Sequence, residues 1–218
     1  MDRFILQDDD VLPPTFFEHP SQLVAPALLG KVLVSTADGV ATGGTIVEAE
    51  AYLGRNDPGS HAATRGVTAR NRVMYGPPGT VYVYFTYGNH YMLNLVCEPE
   101  GVASAVLIRA LEPTIGIELM EERRGGRPRS ELCNGPGKVA KALGIDLRDN
   151  GTSLGGGRLV VYDAPRVSEA EVAVSGRIGL SAGHDLDLRF YVRENQFVSK
   201  GRTGPSPRRG TSARRDSR

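Results

Sequence analysis

The chain has 218 residues, 40% of them apolar, with 27 glycines and 14 prolines; this is enough for one substantial core and too loop-rich for a helical bundle. Four histidines (His19, His61, His90, His184) and two cysteines without CxxC spacing (Cys97, Cys133) argue against a common zinc site and against a disulfide framework, so no metal or other cofactor is expected. A formal charge of +1 gives no whole-chain support to nucleic-acid binding, although a local basic patch can coexist with it. No apolar run approaches the roughly 18 residues of a membrane span, and MDRFILQDDD is acid-rich where a leader is basic and then apolar. A soluble, unexported protein without membrane association is therefore expected.

In chain order, residues 1–20 read as an irregular arm restricted by Pro13, Pro14 and Pro20, with Phe4, Phe16 and Phe17 available to pin it. SQLVAPALLG predicts a short helix with Ser21 as cap and Gly30 as stop. KVLVST is a strand, Ala37-Asp38-Gly39 a tight turn, and 43–52 its hairpin partner. The stretch TIVEAEAYLGRNDPGSH (45–61) follows. Strict alternation puts Glu48, Glu50 and Tyr52 on one face, and Thr45, Val47, Ala49 and Ala51 on the other. An acidic strand face needs water, a cation or a chemical task. The loop GRNDPGS can fold His61 back over the carboxylates. Two readings stand at this point: a site, or acids in salt bridges with His61 capping a turn.

Thr68 predicts a single helical turn ending near Tyr75, and Gly76-Pro77-Pro78-Gly79 a hard break. In 81–87, Val81, Val83 and Phe85 share one face, and Tyr82, Tyr84 and Thr86 the other; Gly88-Asn89 turns the chain at Tyr87, and 91–96 returns bearing Asn94. Tyr82 and Tyr84 suit either stacking platforms for bases or a second core layer. SAVLIRALEP (104–113) is an apolar strand interrupted by Arg109, which needs a carboxylate or phosphate there; Glu48 and Glu50 are the obvious partners, with Glu112 nearer in sequence. TIGIELMEERRGGRPR predicts a helix capped by Thr114, with Ile115, Leu119 and Met120 as its buried stripe, ending in a basic cluster that reads as a solvated face. ELCNGPGKVAKALGI predicts a helix over 136–143, whose entry, with Lys138 and Lys141, suits a phosphate or a plain cap. RLVVYD and LDLRFYVR are strands, with SGRIGLSAG a turn-rich crossing between them. Beyond about 202 the composition argues disorder. The last sixteen residues carry five arginines and one aspartate, net +4, which leaves −3 for residues 1–202.

The blocks IVEAEAY, SHAATRGVTARNRVMYGPPGTVYVYFTYGNHYMLN, LIRALEP, ELCNGPGKVAKALGI and GRIGLSAGHD, in this order, resemble the alkyladenine (3-methyladenine) DNA glycosylase family in its monofunctional, metal-free form, from about residue 16 to 198. The resemblance implies a single mixed α+β domain over 1–202 with a curved antiparallel sheet and peripheral short helices. It implies a bacterial cytosolic repair enzyme, nucleoid-associated through its DNA. Acting as a monomer on double-stranded DNA containing damaged purines, such an enzyme flips the purine out and hydrolyses its N-glycosidic bond. By the same resemblance Glu50 is the general base on the attacking water, with Arg109 and the main-chain carbonyl of Ile178 as its co-ligands. Tyr52, His61 and Tyr84 resemble the walls around the flipped base, Tyr87 the wedge that fills the vacated stack, and Asn94 the gatekeeper against some normal purines. His90 departs from the family, which often has an aromatic there, near the wedge.

The residues suit this chemistry. Flipping needs a wedge on a rigid turn and an aromatic slot with a polar floor; 3-methyladenine and 7-methylguanine are cationic and favour electron-rich rings. Neutral hypoxanthine would need a leaving-group acid that no residue nominates. Lys138 and Lys141 are the conceivable Schiff-base amines, but a phosphate-side helix gives them an ordinary task, so hydrolysis without lyase chemistry is expected. The alternatives are a non-catalytic nucleic-acid-binding module and a metal-dependent nuclease using Glu48, Glu50 and His61.

Overall fold

The computed structural model describes residue 7 and residues 10–63, 66–86 and 88–201; the expectations for Tyr87 and for the tail 203–218 lie outside these. Among the described residues eight strands form one antiparallel sheet: β1 (Val32–Ser35), β2 (Thr42–Tyr52), β3 (Val81–Thr86), β4 (His90–Cys97), β5 (Ser104–Ile115), β6 (Leu159–Tyr162), β7 (Val172–Ser175) and β8 (Arg189–Val192). The order is β3-β4-β5-β2-β1-β6, and β8 pairs with both β2 and β7. Strand β2 is the hub. Its first half pairs with β1 and its second half with β8, while β5 runs along it from Gly43 to Tyr52. Short helices lie around the sheet: α1 (Ser21–Ala27), α2 (Ile117–Arg123), α3 (Arg129–Leu132) and α4 (Pro136–Leu143). This is the expected single-domain α+β architecture with a curved sheet.

The main core lies on one sheet face. Val24 and Leu28 at α1, Ile46, Ala49 and Ala51 of β2, Leu93 and Leu95 of β4, and Val139 and Leu143 of α4 belong to it. The opposite face carries a smaller cluster of Met74, Tyr82, Val96, Ala103 and Ala105, and the candidate site opens beside that cluster.

Several local expectations are corrected. Strict alternation fails in β2, because register shifts flank Glu48: Ile46 pairs with Leu111, Glu48 with Ala110 and Ala49 with Ile108. The extra residue at Val47 lets Ile46 join the core beside Ala49 and Ala51, while Val47 packs with Ala110 and Phe197. A bulge of this kind bends the strand and re-aims its side chains. Strand β5 continues through Pro113 to Ile115, and α2 starts after Gly116, in the left-handed region at φ 63°, with no Thr114 cap. The proline is tolerated at a register shift facing Gly44, where an added Cβ would run into the Glu112 carbonyl oxygen. In α2, Met120 is the fully buried residue and Ile117 packs on the core. Ser21 caps nothing and instead donates to the Tyr52 carbonyl at 3.1 Å, tying α1 to the end of β2. Phe85 is 45% exposed, at the end of β3 where the main core has run out. Strand β7 was not foreseen from VAVS.

Candidate active site

Register assembles the site. Across four neighbouring strands Tyr82 pairs with Asn94, Asn94 with Leu107, and Leu107 with Glu50. Directly paired residues share a face, so this row points away from the main core. At its β2 end the bulge brings two carboxylates, Glu48 and Glu50, to one guanidinium, and both acids are completely buried. Arg109 is the extra residue of β5 in the second register shift. Its Nε donates to Glu48 at 2.9 Å and its Nη1 lies 3.2 Å from Glu50. Glu112 is not its partner; that carboxylate meets Asn195 at 3.5 Å.

The two acids have different surroundings. Glu48 accepts from Arg109 Nε, from Arg189 Nε at 2.7 Å, and from the backbone N–H and hydroxyl of Ser199 at 2.7 and 2.8 Å. Burial opposes its ionisation, but the Arg109 and Arg189 cations and the Ser199 N–H outweigh burial and hold the carboxyl below its usual range. With four donors on it, Glu48 is saturated, and what it does is fix the two arginines. Glu50 accepts from the Tyr52 hydroxyl at 3.0 Å and the Ile178 backbone N–H at 2.8 Å, with Arg109 as its third neighbour. Three donors leave about one of the roughly four lone-pair directions of a carboxylate open. Burial and the Glu50 charge raise Tyr52 well above the usual phenol range, so it stays a donor. Burial works against the Arg109 charge, and Glu50 and Glu48 more than restore it.

Tyr52, Arg109 and Ile178, the three residues bound to Glu50, line a cavity of about 270 Å³ together with His61, Tyr84 and Leu180. Glu50 therefore lies directly behind the cavity wall. A smaller recess of about 60 Å³ continues to Tyr82, Met74 and Asn94. The His61 ring meets Tyr84 edge-on at 4.6 Å, and its Nδ1 lies 3.1 Å from the Tyr82 hydroxyl. The Asn71 side chain donates to the His61 carbonyl at 3.1 Å and to that of Gly66 at 2.8 Å, which fixes the loop. Asn94 donates to the Tyr82 carbonyl at 3.2 Å. Of the two readings of the tyrosine pair, the core layer holds for one residue. Tyr82 is core, 1% exposed with its phenol raised to about 12 by burial, and Tyr84 is cavity wall.

Of the site residues expected from sequence, Glu50, Arg109, Ile178, Tyr52, His61, Tyr84 and Asn94 are brought together here. Ile178 reaches Glu50 through its N–H. Tyr87 lies outside the described residues. His90 lies at the start of β4, against the first turn of α4, where an added Cβ on Gly137 would come within 2.8 Å of its ring.

Sequence reasoning missed Asp57, Arg177, Arg189 and Ser199. Arg177 and Asp57 form a completely buried ion pair. Arg177 also donates to the carbonyls of Ala51 at 3.0 Å and Gly183 at 2.9 Å, and lies 4.6 Å above the Tyr52 ring. It clasps the loop bearing His61 to the loop bearing Ile178, so tightly that an added Cβ at Gly59 would be 2.7 Å from Nη2. The reasoning that singled out Arg109, a cation in an apolar strand, applies equally to Arg189 in LDLRFYVR.

Burial and the Arg70 cation lower the pKa of His61 below its usual 6.5. Between that lowered value and 6.5 the unfolded chain binds more protons than the folded one, so stability rises with pH there and is lost on acidification. Thermal melts from pH 7 to pH 5 are expected to fall less steeply for His61→Asn than for the parent protein.

A family profile described as Methylpurine-DNA glycosylase (MPG) matches residues 15–196. The chain belongs to the methylpurine-DNA glycosylase family. Among relatives provisionally named as 3-methyladenine DNA glycosylases, that of Chlorobaculum parvum is 48% identical over 190 residues, covering 87% of this chain and 90% of the relative. That of Carboxydothermus hydrogenoformans is 48% identical over 191 residues, with 87% and 99% covered. That of Rhodopseudomonas palustris is 47% identical over 194 residues, with 88% of each covered. As a member of the methylpurine-DNA glycosylase family, the chain is an enzyme of DNA repair, and a monofunctional one.

Proposed function

We propose that this glycosylase takes an alkylated, cationic purine, 3-methyladenine or 7-methylguanine, out of duplex DNA and hydrolyses its N-glycosidic bond with a water activated by Glu50. The observation that carries the reading is the buried Glu50 carboxylate, held by Arg109, Tyr52 and the Ile178 N–H directly behind an aromatic-walled cavity.

In the reaction the open lone pair of Glu50 accepts a proton from water, and the water oxygen bonds to C1′ of the sugar. The C1′–N bond breaks with its electron pair going to the base, so a cationic alkylpurine leaves as a neutral molecule. Arg109, with the Ile178 carbonyl, orients the water, and proton transfer to a positioned base such as Glu50 contributes about 10²–10⁴-fold. Tyr52, His61 and Tyr84 sandwich the base. Electron-rich rings favour the cationic lesion over normal purines, and a neutral His61 adds no opposing charge. Asn94 at the floor of the slot disfavours some normal purines, and Tyr87 wedges the duplex while the base is out. The protein works as a monomer on DNA in the bacterial cytoplasm.

A purely binding module is the weaker reading, because a buried carboxylate beside the cavity repels the phosphates such a module must attract. A metal-dependent nuclease is weaker still: Glu48 is fully occupied by guanidinium and hydroxyl donors, which a divalent cation would have to displace. Single-turnover incubation with lesion-containing duplexes is expected to release free base and leave an abasic strand uncut. Strand cleavage without base release would overturn the proposal. Excision is also expected to continue unchanged in EDTA, and a loss that added zinc, magnesium or manganese restores would refute the metal-free chemistry.

A further inference from the structure

Arg177 has no chemical role in the proposed reaction, yet each segment that supplies the site is tied to it. It is completely buried and lines neither the base cavity nor its recess. Its guanidinium lies 4.6 Å over the Tyr52 ring, so it backs a ring whose open side is cavity wall. Its Nη1 donates to the Ala51 carbonyl at 3.0 Å, between Glu50 and Tyr52 in β2. Both Nη groups donate to the Asp57 carboxylate, in the loop that leads to His61, and Nη2 also donates to the Gly183 carbonyl at 2.9 Å, beyond Ile178 and Leu180. Asp57 takes the Leu53 and Gly59 N–H groups as well, at 3.1 and 2.9 Å. With four donors on it the carboxylate is saturated, so it is no candidate base.

A buried ion pair is a poor device for stability alone. Taking both charges out of water offsets their attraction, and apolar side chains of the same size often hold a fold better. Here the cost is higher still, because the buried Arg177 Nε has no partner among the described residues. What the pair supplies is direction. A guanidinium forked onto a carboxylate fixes both groups, and the backbone closes on it so nearly that an added Cβ at Gly183 would come 2.9 Å from Nη2. The aim of two neighbours follows from it. Ile178 comes directly after Arg177 and points its N–H at Glu50. Tyr52, under the guanidinium, points its hydroxyl at the same carboxylate.

We propose that the Asp57–Arg177 pair is a positioning element of base excision. It touches neither the water nor the base; it acts through Ile178 and Tyr52, which it keeps aligned on Glu50 while the C1′–N bond breaks. The proposal rests on the glycosylase reading. A misplacement of about 1 Å at the reacting atoms costs about 10²-fold in rate, so loosening the pair slows the chemical step and leaves DNA binding largely intact.

The test is a double-mutant cycle in the full chain between Asp57→Asn and Glu50→Gln, on a lesion-containing duplex. Rates are read at saturating enzyme, at a temperature where near-ultraviolet dichroism shows every variant folded. Asp57→Asn alone is expected to excise about 10²-fold more slowly, with an affinity for the duplex close to the parent's. In the Glu50→Gln background the same change should cost little more, since groups that act as one unit are not additive. Arg177→Lys keeps the charge but loses the fork, and should lose rate in the same non-additive way; it carries the cycle if Asp57→Asn does not fold. Equal losses in both backgrounds, a loss that lies in affinity alone, or failure of both variants to fold would overturn the proposal and leave the pair a support of the fold. A second readout is independent of activity. With isotope-labelled tyrosine, the Tyr52 ring signals should move when Asp57→Asn or Arg177→Lys loosens the stack, and unmoved signals would likewise overturn the proposal. A parent protein that releases no base would count against the glycosylase reading, while the Tyr52 signals would still tell whether the pair holds the ring.

Discussion

Glu50→Gln is expected to bind lesion-containing duplex almost as well as the parent protein and to excise the base about 10²–10⁴-fold more slowly. Glutamine keeps the size of the side chain but removes the charge that takes the proton from water. It also replaces one acceptor oxygen by an NH2 group, so one of the three donors now on Glu50, from Tyr52, Ile178 or Arg109, must face a donor. A buried mismatch of this kind costs about 1–3 kcal/mol, which a folded domain of this size tolerates. The measurement is single-turnover release of free base beside an affinity measurement on the same duplex. An undiminished rate would remove Glu50 from the chemistry and make Glu48 the next residue to vary.

Glu48→Gln is expected to show the opposite balance, a large loss of stability with a smaller direct effect on the chemical step. Glu48 is the shared counter-charge of Arg109 and Arg189, both nearly buried. Removing its charge leaves Arg189 without its carboxylate and Arg109 with Glu50 alone, and a broken buried pair costs about 3–5 kcal/mol. For a chain of this length that lowers Tm by on the order of 10 °C. The pH dependence gives a second signature. The folded-state pKa of Glu48 lies below its ordinary 4.5, so its contribution is fully present above 4.5 and is lost as pH falls through the folded value. Urea unfolding at pH 7 should separate parent and variant widely, and the gap should narrow as the pH falls below 4.5. A gap independent of pH would mean that the carboxylate charge is not what holds the arginines.

Much of the site was legible because its signals are local or are anomalies of composition. Carboxylates two residues apart before a tyrosine, tyrosines in excess of what a core strand needs, and an arginine in an apolar strand each mark a position that packing alone does not explain. The different fates of the two acids were not legible, because the partners of Glu48 come from Arg189 and Ser199, far along the chain, and no spacing rule reaches that distance. The fates of Tyr82 and Tyr84 depend on how far the sheet extends over each, which register decides. The bulge at Val47 was hidden for a related reason: a period-two reading assumes an unbroken ladder, and an extra residue reverses the parity beyond it. Asp57 and Arg177 resemble ordinary loop residues until the fold brings NDPG against SGRIG.

The bond from the Ile178 amide to Glu50 makes that N–H a built-in reporter. Its donor comes from the loop between β7 and β8, and its acceptor from the middle of the sheet. Exchange of this one proton for deuterium requires the loop to lift from the carboxylate, whether or not the rest of the molecule opens. If Ile178 exchanges as slowly as amides of the central strands β2 and β5, the loop and the sheet open together and this donor stays on the carboxylate for as long as the protein is folded. Faster exchange would instead measure how often the loop leaves Glu50 while the sheet stays intact, and bound DNA should slow it.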